Sequence, residues 1–212
     1  MKNLLLILLI TSISYCFEIK QMPILFGEKR VELTKQYIQN RYELTVDTIN
    51  IIPKMIVIHH TGVNSLKKSF NRLNSETLLT DRKYIKKASN LNVSAHFLVD
   101  KDGTVYSLLD ETKMARHVIG LNYSSIGIEN VGGQGKDDKL TNEQLLANIE
   151  LIKYLKSKYK TIEYLIGHYE YTNFVNHHLF LEKDKNYRTV KSDPSPSFMK
   201  KLREEFTNLK MN

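Results

Sequence analysis

The sequence predicts a single α/β domain in which helices flank a central mixed β-sheet. Three observations lead to this expectation. Apolar strand-like runs alternate with helix-like segments, two alternating runs flank an Asp-Gly turn at 102–103, and the 212 residues contain neither repeats nor an interdomain linker. The hydrophobic content of 42% and the charged content of 25% are those of a folded globular protein.

The first elements predicted are a lead-in, a helix and a buried strand. Residues 17–27 are punctuated by proline and glycine and are predicted to be irregular. Residues 28–44 carry apolar side chains at helical spacing, which predicts a helix. The β-branched run "IIPKMIVIHH" predicts a buried strand that ends at His59 and His60.

The middle of the chain contains a hairpin signal. Residues 65–90 are mixed, and a helix is predicted in their second half. The run "VSAHFLVDKDGTVYSLL" (93–109) alternates on both sides of Asp-Gly, the strongest short-range sign of a hairpin. The run "SSIGIENVG" (124–132) predicts a strand that leads into the glycine-rich loop "GGQGKDDK" (132–139).

Two helices and a strand are predicted in the last third. Residues 140–159 open with Thr141 as a capping residue and repeat apolar positions at helical spacing. The apolar run "IEYLIGHYE" predicts a buried strand that ends at His168. Residues 171–192 have no clear period and predict a long loop. The segment "PSFMKKLREEFTNL" (196–209) predicts a helix with proline in its first turn.

The net charge restricts the classes of partner. The formal charge of +8 and the isoelectric point near 9.3 favour polyanions such as nucleic acid, acidic wall polymers or anionic membranes. The lysines are scattered, however, which is equally typical of a solvated surface. The sequence has no recognisable nucleic-acid motif, so we expect no nucleic-acid partner.

The N-terminus predicts export. Residues 1–16, "MKNLLLILLITSISYC", combine a basic residue, a short apolar core and a small-residue end, the pattern of a signal peptide. Cleavage after Cys16 is one outcome, and lipid modification of Cys16 as the first residue of a lipoprotein is the other. Because Cys16 is the only cysteine, the mature domain is predicted to have no disulfide and no cysteine ligand.

Two histidines and one aspartate form a candidate metal set. His59 and His168 each end an apolar strand, and Asp193 lies in a turn followed by proline. Two imidazoles and a carboxylate are a reasonable ligand set for catalytic zinc, with a fourth position left for water. A histidine at a strand end is also often a hydrogen-bonded core residue, so the residues alone leave both interpretations open.

Five motifs in order resemble a known family. They are "IVIHHTG", "SAHFLVDKDGTVYSL", "SIGIENVG", "LIGHYE" and "VKSDPSPSF". Together they resemble the zinc-dependent N-acetylmuramoyl-L-alanine amidases, whose superfamily includes phage amidases and peptidoglycan recognition proteins. The resemblance covers roughly residues 54–205. It implies a division into a signal peptide (1–16), a lead-in with a helix (17–53) and an amidase domain (54–208).

The resemblance implies roles for five residues. Its zinc ligands match His59, His168 and Asp193, one zinc ion per chain. An aspartate as the third ligand places the chain nearest to the branch that processes muropeptides. Glu129 matches the catalytic glutamate, and Lys191 matches a lysine that can stabilise an oxyanion.

Substrate contacts are the next implication. The resemblance places His60, His96, His117 and Asn122 at substrate-binding positions.

The chain also departs from the family pattern. Ala95 replaces a tyrosine of the phage branch, and Asn92 and Gly120 stand where the muropeptide branch has arginines. A longer segment before Lys191 brings His177 and His178, which offer a second metal site or are simply solvated.

The function implied is hydrolysis of the amide between N-acetylmuramic acid and L-alanine, in peptidoglycan or its fragments. The implied setting is the periplasm or cell envelope, with the protein acting as a monomer. The alternative is a non-catalytic peptidoglycan-binding protein of the same fold, although such proteins typically lack a zinc ligand.

Overall fold

The centre of the fold is a six-stranded sheet. A computed structural model describes residues 17–80, 83–133 and 140–211. The strands are Ile19–Gln21 (β1), Met55–His60 (β2), Phe97–Val99 (β3), Val105–Ser107 (β4), Ser125–Asn130 (β5) and Tyr164–Gly167 (β6). Their order is β1-β4-β3-β5-β2-β6, with β3 and β4 antiparallel and every other neighbouring pair parallel. The predicted mixed sheet and its hairpin are therefore confirmed.

Five α-helices flank the sheet in the part of the chain that the structure describes. They are Glu28–Tyr42 (α1), Leu66–Asn74 (α2), Lys83–Lys86 (α3), Asn142–Lys158 (α4) and Pro196–Glu204 (α5). Short 3₁₀ helices cover Asn122–Ser124 and His168–Phe174. The predicted start of α4 is confirmed by a capping box, in which Thr141 Oγ1 accepts the Gln144 N–H and Gln144 Oε1 accepts the Thr141 N–H, both at 3.0 Å.

The two faces of the sheet pack against different elements. Ile56 and Ile58 of β2 belong to the apolar cluster that also contains residues of α4 and α5. Met55 and Val57 point to the opposite face, where they join residues of the 3₁₀ helix that begins at His168. Because side chains alternate along a strand, His59 shares the face of Val57. The functional face of the sheet is therefore the one opposite to α4 and α5.

Three expectations need correction. Residues 19–21 form the edge strand β1, paired with β4, instead of irregular lead-in, because an edge strand needs backbone pairing but no strong apolar pattern. In the 65–90 segment, the helix predicted in the second half is present as the short α3, but the longer helix lies in the first half. This helix, α2, is capped by Ser65 Oγ, which accepts the Lys68 N–H at 3.4 Å, and it buries Leu73. The predicted loop after His168 begins instead as the 3₁₀ helix.

Two predictions fall partly or wholly outside the described residues. They are the signal peptide, residues 1–16, and most of the glycine-rich loop, residues 134–139. In the ranges that the structure does describe, no helix combines the length and the apolar character needed to cross a bilayer.

Candidate metal centre and catalytic cleft

Three ligand atoms converge at the C-terminal edge of the sheet. His59 Nδ1, at the end of β2, lies 2.9 Å from Nδ1 of His168, which directly follows β6. Asp193 Oδ2 lies 3.1 Å from His168 Nδ1 and 3.5 Å from His59 Nδ1. Parallel strands β2 and β6 are neighbours, so their ends bring the two histidines together across 109 residues of sequence.

These three residues fit a zinc ion. Ligand atoms held at 2.0–2.1 Å from tetrahedral zinc are about 3.3 Å apart, close to the separations found here. Among the described residues, this is the group of histidine, cysteine or acidic side chains that could hold a metal. The ligand chemistry, two imidazole nitrogens and a carboxylate oxygen, is that of catalytic zinc sites.

The protonation states of the three side chains suit a cation. Burial lowers the pKa of His59 to about 4, and burial also lowers the pKa of His168. Burial alone would raise the pKa of Asp193, but the adjacent His168 and His59 hold it below its usual range. Two neutral imidazoles and an ionised carboxylate at neutral pH are the forms that bind metal.

His117 contacts the ring nitrogen of His59 that does not face the other two candidate ligands. His59 Nε2 lies 3.0 Å from His117 Nδ1, and His117 Nε2 lies 3.2 Å from Ser125 Oγ and 3.4 Å from the Ser125 carbonyl oxygen. If His117 Nε2–H donates to Ser125, then His117 Nδ1 accepts the His59 Nε2–H. That tautomer leaves the lone pair of His59 Nδ1 directed at the other two ligands.

Gly127 makes room for this arrangement. A Cβ at Gly127 would lie 2.7 Å from the His117 ring, so a side chain there would displace the imidazole. Gly127 is in the interior of the buried strand β5. A glycine in such a position often marks a close approach of another group, and this was the sequence signal that could have placed His117 here.

Glu129 and Lys191 line the same cleft as the three ligands. Glu129 is paired in register with His59 between β5 and β2, so both side chains lie on the same face of the sheet. The cleft has a volume of about 380 Å³ and is also lined by Lys191, Arg72 and Arg116. One carboxylate and several cations therefore surround the ligand group.

His60 is the predicted substrate-binding residue that is partly exposed to the cleft. Its two ring nitrogens are buried and have no hydrogen-bond partner among the described residues. Gly133 lies directly against the ring, because a Cβ there would come within 2.2 Å of it.

The other three predicted substrate contacts are buried, and their role toward substrate stays a prediction. His96 is fully buried; its Nδ1 accepts the Gly127 N–H at 3.0 Å, and its Nε2 donates to the Lys113 carbonyl at 2.8 Å. Asn122 is also fully buried, and its Oδ1 accepts the N–H groups of His117 and Val118 at 2.8 Å. His96, His117 and Asn122 thus make hydrogen bonds within the protein, and His117 and Asn122 also line the cleft.

The paired histidines of the long segment are used elsewhere. His177 Nδ1 accepts the Leu179 N–H at 3.3 Å, and its Nε2 lies 3.2 Å from Tyr164 Oη. Both nitrogens of His177 are therefore occupied, which argues against a second metal site with His178.

Sequence reasoning missed two asparagine side chains that form consecutive hydrogen bonds between β2 and α4. Asn130 Nδ2 donates to the His59 carbonyl at 3.0 Å, and Asn148 Nδ2 of α4 donates to Asn130 Oδ1 at 2.7 Å. Both asparagines are fully buried. These two hydrogen bonds connect the backbone of His59 to helix α4 on the opposite face of the sheet.

Comparison with known proteins agrees with this geometry. A family described as N-acetylmuramoyl-L-alanine amidase matches residues 50–196. The endolysin of Escherichia phage T7 is 36% identical over 83 residues, which are 37% of this chain and 55% of the endolysin. The chain thus spans about half the length of that curated relative.

Solved structures share the fold. N-acetylmuramoyl-L-alanine amidase LysC from Clostridium intestinale has a TM-score of 0.51 and 21% identity, with 90% of this chain and 99% of LysC covered. A derivative of AmpD has a TM-score of 0.56 and 20% identity, with 90% and 96% of the two chains covered.

The fold is an α/β domain with a mixed sheet. At the edge of that sheet, the ends of two strands contribute to a group of side chains that could hold a metal ion. The chain belongs to the N-acetylmuramoyl-L-alanine amidase family.

Proposed function

We propose that the protein hydrolyses the amide between N-acetylmuramic acid and L-alanine in peptidoglycan or its muropeptide fragments, and that it depends on zinc. The observation that carries the proposal is the convergence of His59, His168 and Asp193 at the head of a cleft. Membership of the amidase family supports the reaction, and the ligand set supports the metal.

The roles of the cleft residues follow from their chemistry. His59, His168 and Asp193 hold zinc, which when bound acidifies water and polarises the scissile carbonyl. Glu129 accepts the proton of the attacking water and returns it to the leaving alanine nitrogen. A half-buried carboxylate beside the ligand group suits that role.

Lys191 stabilises the oxyanion that forms on the scissile carbonyl. An ammonium group in a cleft of this kind places positive charge where negative charge develops, a contribution of roughly 3–4 kcal/mol for a well-placed donor. His60 is the proposed substrate contact, since it lines the cleft and is partly exposed.

The setting proposed is the cell envelope. A cleft with Arg72 and Lys191 in its lining, on a chain of net charge +8, suits anionic muropeptides. We propose export through residues 1–16, with the mature protein either free in the periplasm or anchored by a lipid on Cys16, and acting as a monomer.

Mass spectrometry of digests tests the proposal. Purified protein with zinc is incubated in parallel with intact sacculi and with purified muropeptides. The expected products are stem peptides with a free alanine amino terminus and glycans whose lactyl group carries no peptide. Which of the two substrates is consumed also separates polymeric wall from released fragments. A protein that binds stoichiometric zinc and muropeptide but cleaves neither substrate would be a binding protein instead.

A further inference from the structure

We propose that Tyr171 is a positioning residue that holds the segment carrying Lys191 and Asp193 in place. The inference rests on the proposed function, because it concerns the geometry of the metal ligand and of the oxyanion-stabilising lysine. Nothing in the sequence pattern singled out Tyr171, which lies in the 3₁₀ helix that begins with His168.

The tyrosine hydroxyl clamps Thr189 of the distant segment by bonding both backbone polar groups of that residue. Tyr171 Oη accepts the Thr189 N–H at 2.8 Å and donates to the Thr189 carbonyl at 2.7 Å. The side chain of Tyr171 is fully buried among Val57, Ile166 and Phe174. The buried phenol therefore supplies hydrogen-bond partners to two backbone groups that lie outside any strand or helix.

The segment that contains Thr189 has no regular secondary structure. No helix or strand lies between Phe174 and Pro196, a stretch that the structure describes in full. The side chain of Val190, next to Thr189, is 101% exposed, so its packing does not anchor the chain. Besides the clamp, the Tyr169 N–H donates to the Asp193 carbonyl at 3.1 Å.

The 3₁₀ helix thus supplies one metal ligand and two anchors for another. His168 lies within 3.1 Å of Asp193, while Tyr169 and Tyr171 hold the backbone of the segment to which Asp193 belongs. A residue adds at most about 3.6 Å to the reach of a chain, so releasing Thr189 allows Lys191 and Asp193 to shift by ångströms. Displacements of about 1 Å at a catalytic site can cost a hundredfold in rate.

The test is Tyr171→Phe, which removes only the hydroxyl, with Tyr164→Phe as the matched control. Tyr164 is similarly buried, at 8% exposure, and its Oη lies 3.2 Å from His177 Nε2, outside the cleft. Zinc affinity is measured by chelator competition, and kcat and KM are measured on a purified muropeptide. For Tyr171→Phe we expect zinc affinity to fall by about 10-fold or more and kcat to fall with little change in KM. For Tyr164→Phe we expect a lower melting temperature at most.

A second pair of variants addresses the other side of the clamp. Thr189→Pro removes the N–H that Tyr171 accepts and should reproduce the loss of zinc affinity, whereas Thr189→Ala keeps both backbone groups and should not. These variants decide the question if Tyr171→Phe fails to fold. If Tyr171→Phe folds and keeps wild-type zinc affinity and kcat, the inference is overturned. If Tyr171→Phe does not fold, the same result for folded Thr189→Pro overturns it. A wild-type protein that neither binds zinc nor cleaves muropeptide would instead overturn the proposed function.

Discussion

The Nε2 of His59 lies 3.0 Å from the Nδ1 of His117, and the far side of His117 is bonded to Ser125 at the start of β5. The ring of His59, a proposed metal ligand, is thereby contacted on its far side by a histidine that is itself bonded to the neighbouring strand. This relationship leads to the first prediction.

Substitution of His117 by phenylalanine should weaken zinc binding while leaving all three ligands in place. The ring keeps similar volume against Gly127 but offers no nitrogen to His59. We expect a loss of roughly 10- to 100-fold in zinc affinity, the range for partners that orient a ligand. Chelator competition measures it, with His177→Phe, outside the cleft, as the control. Equal zinc affinity in the two variants would show that His117 only fills space.

Substitution of Glu129 by alanine should abolish most catalysis and spare the metal. Glu129 is not one of the three ligand residues, so zinc content and muropeptide binding should be retained. We expect kcat to fall by roughly 10²–10⁴-fold, and Glu129→Gln to be nearly as impaired because an amide accepts no proton. Glu150→Ala on the exposed side of α4 is the control. Near-wild-type turnover by either Glu129 variant with zinc fully bound would mean that the base lies elsewhere.

Substitution of His168 by alanine should remove both zinc and activity. The remaining His59 and Asp193 would leave a buried two-ligand site, which binds the ion far more weakly. Elemental analysis after dialysis measures the metal, and His178→Ala, an exposed histidine, serves as the comparison. Stoichiometric zinc in the double variant His59→Ala/His168→Ala would contradict the ligand assignment.

The stability of the metal-free protein should fall between pH 6.5 and 4. Burial lowers the pKa of His96 to about 4, so over this range the unfolded chain binds a proton that the folded chain does not. The stabilisation is complete above pH 6.5 and is lost as pH falls through 4, an effect of roughly 3 kcal/mol. Urea unfolding at a series of pH values measures the slope. His96→Gln should reduce the slope without abolishing it, because burial also lowers the pKa of His59 and of His168. An unchanged slope in that variant would assign the pH dependence to those other groups.

Processing of the N-terminus gives a further prediction. The mature protein should begin at or near Cys16, as read by mass spectrometry of protein purified from native cells. If Cys16 carries a lipid, the protein should partition into the detergent phase, and Cys16→Ser should release it. Intact Met1 on protein from a soluble cytosolic fraction would contradict export.

Local patterns were enough to predict most of the sheet. Alternation around the Asp-Gly turn gave the hairpin of β3 and β4, and the apolar run before His59 gave β2, because these signals depend on neighbouring residues only. The edge strand β1 was missed, since its pairing with β4 depends on backbone contacts between distant segments.

The residues of the candidate metal group could be predicted from the sequence, but the residues that hydrogen-bond to them could not. His59 and His168 end apolar strands and Asp193 lies in a turn before proline, features visible in the sequence, and the family resemblance supported the choice of these three. The residues that contact them or their segments, His117 and Tyr171, do so through a few hydrogen bonds to residues outside their own sequence neighbourhood. Such contacts leave no periodic pattern, and only the assembled structure reveals them.

The helix α1 lies before the family-matched residues 50–196, yet it belongs to the site. The hydroxyls of Tyr37 and Tyr42 lie 3.5 and 3.1 Å from Asn122 Nδ2, and Asn122 in turn fixes the backbone of His117. On the other side of α1, Arg41 is paired with the buried Glu182 at 2.8 Å. The contacts that support the site therefore extend beyond the region of family likeness. Shortening the chain to that region would remove α1, the outermost member of a series of hydrogen bonds that runs through Asn122 and His117 to His59.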